Sequence, residues 1–377
     1  MRKKCKNIFF ILLYFFIFLS TVYATQIQSL SAVVICEETG RVLYQKNANE
    51  KRKMASLTKL MTSIILVENC DLNEKITVAK EACYVGGSEA GLKPNDEVTA
   101  KDLLYGMLLP SGNDCAMAIA YHIGGNIPNF ASLMNQKAKE LGLESTSFDN
   151  PHGLDSENHY TTAYEMAQIA RYAKSYDSIK DAVSTIQTDV IFGDRTVNLR
   201  NTNSLLRTYP YATGMKTGFT NGANRCLVAS ASKDNLNLIA VVLGSDTSKI
   251  RFDDAKTILE DTFNNYKSYD LSPFLNVYID IPIIKGISKN YVRTYSDKRI
   301  EALTEEEYSK IYVSQNFIQK IEAPMYKGAY LGTYTVSIDD EVLYSKDFYL
   351  EEDILKKTPI DYFKDALKNM FNTLEPI

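Results

Sequence analysis

A block of helical periodicity set between strand patterns is the strongest constraint on how this chain can fold. From Ala100 to about Ala173 the apolar residues recur with helical period, with breaks at Pro110, Gly124–Gly125, Gly142 and Pro151–Gly153. Ahead of it, SAVVICEETGRVLYQKNANEK reads as a hairpin: strand Ala32–Cys36, a turn at Glu38–Gly40, and strand Arg41–Gln45. A helix then opens near Ser56. Behind the block, strand patterns return at Asp189–Phe192, Thr196–Leu199, Thr213–Thr217, Arg225–Ser232 and Leu236–Leu243, and Arg251–Tyr266 is helical. The later strands follow one another closely, which points to antiparallel pairing. The expectation is an α/β domain, an antiparallel sheet covered by helices and interrupted by a helical insertion.

A chain of 377 residues is too long for one ordinary core, so two domains are expected. The texture changes near Tyr269–Pro273. From Asn276 to about Leu350 the chain holds short strands separated by turn residues, as in a small all-β, sandwich-like domain. After Pro359, the residues Ile360, Phe363, Leu367, Met370, Phe371 and Leu374 recur at spacings of three and four, with Lys364, Asp365, Lys368 and Asn369 on the other face. This predicts an amphipathic helix. Two settings fit it, packing on the protein's own β-domain or lying in a membrane interface.

The first residues read as an export signal. Arg2, Lys3, Lys4 and Lys6 precede the apolar run IFFILLYFFIFLSTVY, and Val22 and Ala24 supply small residues before a cut after Ala24. An uncleaved anchor is the alternative, since the run approaches spanning length. Either way the bulk of the chain is expected outside the cytoplasm. The expected segments are therefore 1–24 signal, 25–269 α/β domain, 270–350 β-rich domain and 351–377 tail helix.

A formal net charge of −4 and the lack of a long basic run argue against nucleic acid as a partner. Of six cysteines, Cys5 leaves with the signal; Cys36, Cys70, Cys83, Cys115 and Cys226 are scattered, with no C-x-x-C. Neither a disulfide framework nor a zinc site is indicated. The histidines are His122, His152 and His159; there is no H-E-x-x-H, and Glu157-Asn158-His159 has the wrong spacing for a metallopeptidase. His152, in NPHGLD, reads as a loop-fixing residue. No metal and no cofactor is expected.

The chemistry-bearing residues come in three short motifs. In MASLTKLMT, Ser56 and Lys59 lie three apart at the start of a strongly apolar helical pattern, so the two side chains share a face. LLPSGNDCAMAIA places Ser111-Gly112-Asn113 in a loop just before a helix, and ATGMKTGFT places Lys216-Thr217-Gly218 on a strand. Each is weak alone; the ordered set of S-x-x-K, S-x-N and K-T-G is specific. A serine is a poor nucleophile until a base takes its proton, and a lysine desolvated beside other cations can be that base. A helix N-terminus under Ser56 favours a developing oxyanion. Ser111 can relay a proton to a leaving amine, Asn113 can hold Lys59 and a substrate amide, and Lys216 adds a cation beside Ser111. Thr217 offers a hydroxyl to a carboxylate, and Gly218 lets a peptide backbone approach the strand.

With these motifs the chain resembles the serine-type D-alanyl-D-alanine carboxypeptidases, the low-molecular-weight penicillin-binding proteins of peptidase family S11. The segments GGSEAGLKPNDEVTAKDLLYGMLLPSGND, NPHGL, GMKTGFT and IRFDDAKTIL also resemble family segments. The resemblance implies a β-lactamase/transpeptidase-like catalytic domain and removal of the terminal D-Ala from peptidoglycan stem peptides ending in D-Ala-D-Ala. It also implies covalent inhibition by β-lactam antibiotics. It makes Ser56 the nucleophile, Lys59 the general base, Ser111 and Asn113 the second motif, and Lys216, Thr217 and Gly218 the third. The backbone N–H groups of Ser56 and Phe219 become the oxyanion donors, and Arg251 a holder of the substrate carboxylate. Three positions depart from the family pattern: Phe219 stands where relatives carry histidine or tyrosine, Thr202 where some carry arginine, and Cys115 where alanine is usual. A class A β-lactamase needs an E-x-x-L-N loop, and the nearest match, Glu140-Leu141-Gly142-Leu143, is followed by Glu144. A D,D-endopeptidase and a non-catalytic cell-wall binding protein are the remaining alternatives.

Overall fold

The computed structural model describes residues 26–372. The expected signal segment 1–24, the Phe371 side chain and Leu374 lie outside the described residues.

Strand β1 (Ser31–Cys36) is buried along its whole length because both of its faces are covered. Val33 and Ile35 enter one core while Ala32, Val34 and Cys36 enter another, as the two-residue period of a strand requires. Its hairpin partner is β2 (Val42–Lys46), one residue later than the sequence pattern suggested. Two short hairpins decorate the middle of the chain: β3 (Lys75–Thr77) with β4 (Glu97–Thr99), and β5 (Gln187–Phe192) with β6 (Arg195–Arg200). Then come β7 (Ala212–Thr220), β8 (Asn224–Lys233) and β9 (Leu236–Ser245). The central sheet has the order β2–β1–β9–β8–β7 and is antiparallel throughout. In it β1 lies against β9, from Ser31 opposite Leu243 to Cys36 opposite Leu238. Everything between the opening hairpin and β7 is therefore an insertion, as the interrupted periodicity implied.

All of the insertion but its last short helix covers one face of the sheet. It contains α1 (Lys59–Asn69), α2 (Ala100–Leu108), α3 (Asn113–Gly124), α4 (Ile127–Glu140), α5 (Ala163–Ala173) and α6 (Asp177–Ser184). Leu57, Leu60, Met61, Ile64, Ile65 and Leu66 are all buried there, each contributing roughly 1.5–3 kcal/mol at full burial. The other face is covered by α7 (Leu205–Thr208) and α8 (Ser248–Asn265), through Leu205, Ala255, Ile258 and Leu259. Helix starts follow side-chain caps: Thr99, Asn126, Thr162 and Thr247 each accept from a backbone N–H three residues on. The Thr247 cap starts α8 three residues before the expected Arg251.

The β-rich region is built from β10 (Lys267–Asp270), β11 (Asn276–Ile284), β12 (Asn290–Ser296), β13 (Ile300–Leu303), β14 (Ile311–Phe317), β15 (Ile321–Glu322), β16 (Tyr330–Ile338) and β17 (Glu341–Tyr349), with the single helical turn α9 (Glu305–Ser309). Sheets β12–β11–β15 and β14–β16–β17 share one core, in which Val277, Ile279 and Ile281 join Leu331, Val336 and Phe348. The sandwich expectation holds, with one parallel pairing, β11 with β15. The turn of the first hairpin clamps this region to the α/β one. Arg41 donates to Glu307 at 2.6 Å and Glu341 at 2.8 Å, and Thr39 donates to Glu301 at 2.7 Å.

The chain ends in α10 (Pro359–Asn372). Ile360 and Phe363 on its apolar stripe are 65% and 64% exposed. Among the described residues no helix is long and apolar enough to cross a membrane.

Candidate active site

Ser56 sits in a 3-10 turn, Ala55–Thr58, that runs directly into α1, and Lys59 is the first residue of that helix. The sequence pattern suggested a single helix from Ser56. The tighter turn instead leaves Ser56 partly exposed while Lys59 is 0% exposed. Ala55, just before the serine, has φ 49°, in the left-handed region that non-glycine residues rarely occupy.

Lys59 Nζ lies 3.1 Å from Ser56 Oγ, 2.7 Å from Asn113 Oδ1 and 2.8 Å from the His152 carbonyl. Two of these three neighbours can only accept. A neutral amine has two N–H groups and one lone pair, so the N–H groups go to Asn113 and His152 and the lone pair faces the Ser56 hydroxyl. Asn113 is oriented by its own amide, whose Nδ2 donates to the Gly86 carbonyl at 2.7 Å.

Burial in the first place, and then the Lys216 charge, hold the Lys59 amine well below the ordinary lysine value. Lys216 is itself fully buried on β7 and is pushed down to about 7, by burial and then by Arg251. Arg251 is lowered to about 10, chiefly by burial. His152 is lowered to about 3 by burial and by Lys59, so its ring is neutral. It fixes its loop as expected, accepting from Leu154 N at 3.2 Å, and its carbonyl reaches Lys59.

The second motif is held under strain. Ser111 has φ 72° and its buried Oγ has no hydrogen-bond partner. The loop is pinned by Asp114, whose carboxylate accepts from the backbone N–H groups of Ala90, Gly91 and Leu92 at 2.8–3.0 Å. Asn113 N adds a bond to the Ser88 carbonyl at 2.7 Å. Sequence reasoning gave neither Asp114 nor His152 a part in the site. An aspartate in the first turn of a helix, three residues after Ser111, was the available signal for the first.

On β7, Thr217 and Thr202 share a hydrogen bond of 2.6 Å between hydroxyls, so the departure at Thr202 falls inside the site. Gly218 differs from the sequence reading in direction. A Cβ there would meet Met54 O at 3.0 Å, Ala55 Cβ at 3.1 Å and Ser56 N at 3.2 Å, so the bare Cα is used first by the turn that carries Ser56. Phe219 is 51% exposed beside the site with the Arg225 guanidinium 4.5 Å from its ring centre. Arg251 is buried in the first turn of α8 and donates to the Gly218 carbonyl at 3.2 Å from behind the strand; its Nε has no partner. Cys115 is a buried core residue. Glu140 lies at the end of α4, paired with Lys137 at 2.8 Å, and takes no part in this cluster.

A five-stranded antiparallel sheet with a helical insertion, carrying a serine and a buried lysine at the head of its first long helix, is the architecture of the penicillin-recognising serine hydrolases. Residues 19–247 match the D-alanyl-D-alanine carboxypeptidase family, peptidase S11, and residues 279–356 match the C-terminal domain of penicillin-binding protein 5. The chain belongs to the peptidase S11 family of D-alanyl-D-alanine carboxypeptidases. It is similar to D-alanyl-D-alanine carboxypeptidase DacF of Bacillus subtilis, at 37% identity over 345 residues, covering 89% of this chain and 88% of that one. Penicillin-binding protein 5 of Haemophilus influenzae superposes with a TM-score of 0.76 at 28% identity, over 88% of this chain and 98% of that one. The DD-transpeptidase of Streptomyces K15 superposes at 0.61 with 33% identity, over 63% of this chain and 98% of that one.

Proposed function

We infer that the protein acts outside the cytoplasm as a serine D,D-carboxypeptidase, removing the terminal D-Ala of peptidoglycan stem peptides through an acyl-enzyme on Ser56, and that β-lactams acylate the same serine. The observation that carries this reading is the Lys59 amine, fully buried, 3.1 Å from Ser56 Oγ, with both N–H groups engaged elsewhere.

In the proposed cycle Ser56 Oγ gives its proton to Lys59 Nζ and attacks the carbonyl carbon of the penultimate D-Ala. The backbone N–H groups of Ser56 and Phe219 receive the developing oxyanion. The C–N bond breaks as the proton passes from Lys59 through Ser111 to the departing D-Ala amine. The buried, unpartnered Ser111 Oγ supports that role, since a buried hydroxyl without a partner is costly unless the substrate completes it. Water, losing its proton to Lys59, then hydrolyses the ester. Thr217 meets the substrate carboxylate, with Lys216 and Arg251 as cations behind it. Asn113 holds Lys59 and the substrate amide. The segments 25–269 and 270–350 serve as catalytic and supporting domains, 1–24 serves as the export signal, and α10 holds the enzyme on the membrane surface through its exposed stripe.

The test is Ser56→Ala. It should lose covalent penicillin labelling, read by intact mass, and D-Ala release from a D-Ala-D-Ala peptide, while melting like the parent. Label that persists, or that maps to Ser111, overturns the assignment.

A further inference from the structure

At the far ends of the two helices that carry the first two motifs, three different metal-binding side chains meet. Cys70 caps the C-terminus of α1 and His122 lies in the last turn of α3. Glu74 follows Cys70 in the turn leading to β3. The Cys70 thiol, a Glu74 carboxylate oxygen and a His122 ring nitrogen lie within 4.8 Å of one another, and His122 Nε2 is 3.1 Å from Glu74 Oε1. Among the described residues Cys70 is the one free cysteine that is not buried. The sequence reading set zinc aside because no ligand spacing was present along the chain. These ligands converge only because α1 and α3 pack side by side.

We propose that Cys70, Glu74 and His122 form a zinc site that ties the C-terminal ends of α1 and α3 together. Thiolate, imidazole and carboxylate are together a zinc donor set, whereas magnesium and calcium select oxygen alone. Zinc bonds of roughly 2.0–2.3 Å put tetrahedral ligand atoms about 3.3–3.8 Å apart, so small side-chain rotations close the observed triangle, and water takes the fourth position. Two helix C-termini supply negative potential toward the cation. Binding replaces the thiol proton, which goes to solvent as the Zn–S bond forms. The site stands clear of the active centre: eleven residues of α1 separate it from Ser56 by about 16 Å. A tie there would hold the two helices in register, and with them Lys59 against Asn113.

The intact chain, stripped with chelator and dialysed against zinc, should retain one zinc per chain and melt at a higher temperature than the stripped form. With cobalt in place of zinc it should show a thiolate-to-metal charge-transfer absorption. Cys70→Ser and His122→Ala should each weaken zinc binding by more than the roughly 10–100-fold typical of losing an outer-shell partner, while penicillin acylation of the stripped variants matches that of the stripped parent. Zinc held with unchanged affinity by both variants, which would mark an adventitious ion only, overturns the proposal. So does a cobalt-loaded parent without the thiolate band, whatever the variants do.

Discussion

Gly153 offers a direct way to move the proposed nucleophile, Ser56, without touching it. Its φ is +94°, and a Cβ added there would lie 1.9 Å from Ala55 O, 2.4 Å from Ala55 C and 2.9 Å from Ser56 N. Ordinary contact begins near 3.4 Å, so in Gly153→Ala the 150–154 loop and the Ser56 turn must separate by at least about 1.5 Å. That shift displaces the Ser56 N–H and pulls the neighbouring His152 carbonyl from Lys59 Nζ. Misplacement of about 1 Å in a reacting constellation costs roughly 100-fold. Gly142→Ala is the control, because φ is +72° there but a Cβ would meet nothing within 4 Å. It should lose only the roughly 1–2 kcal/mol of left-handed strain. Gly153→Ala should lose about 1–3 kcal/mol more from overpacking and acylate a fluorescent penicillin at least about 100-fold more slowly. Stopped-flow acylation, run where both variants are folded by their melting curves, separates the two. If Gly153→Ala acylates within about threefold of Gly142→Ala, the coupling between loop and nucleophile is refuted.

Three other outcomes are expected. If Lys59 works as the neutral amine, as proposed, acylation should fall as pH drops through its lowered pKa, on a limb well below 10.5; Lys59→Arg keeps a cation without the base and should not acylate, and retained acylation would mean that another group takes the proton. Lys216 binds its proton near 7 when folded and near 10.5 when unfolded, so between those values the unfolded state holds more protons and stability rises with pH, by roughly 5 kcal/mol from this group; in urea titrations Lys216→Met should flatten that rise, and an unchanged slope would count against the assignment. A chain ending before Pro359 should lose vesicle binding and keep D-Ala release, whereas equal vesicle binding by both forms would assign α10 another role.

The sheet, the insertion and the β-rich region were legible because each rests on short-range periodicity. The β1 residues Val33 and Val34 already alternate between two cores in a way that a continuous apolar run implies. The motif residues were legible because Ser56 and Lys59 are i and i+3 on one face. What could not be read was three-dimensional convergence. The His152 carbonyl reaches Lys59 from 93 residues away, and a backbone acceptor leaves no mark on residue type. The inward use of Gly218 was hidden for the same reason, since a glycine letter does not say which neighbour needs the space. Arg251 reads equally well as a surface helix start; only the pairing of β7 with β8, and α8 laid behind them, buries it.

Arg251, Lys216 and Lys59 form a buried series: burial lowers each, and beyond that the Arg251 charge lowers Lys216 and the Lys216 charge lowers Lys59. Among the described residues no carboxylate is hydrogen-bonded to Lys59 or Lys216, and the nearby Asp114 is taken up by backbone N–H groups. Buried like charges without a counter-ion cost folding energy, so the arrangement makes physical sense only with an anion in prospect. On the proposed mechanism that anion is the carboxylate at the peptide's end. Its arrival beside Thr217 favours the charged form of Lys216, and a charged Lys216 in turn favours the neutral form of Lys59. Binding of the correct chain end and preparation of the base are then one electrostatic event, and a peptide without a free carboxylate would enter a site whose base is less often neutral.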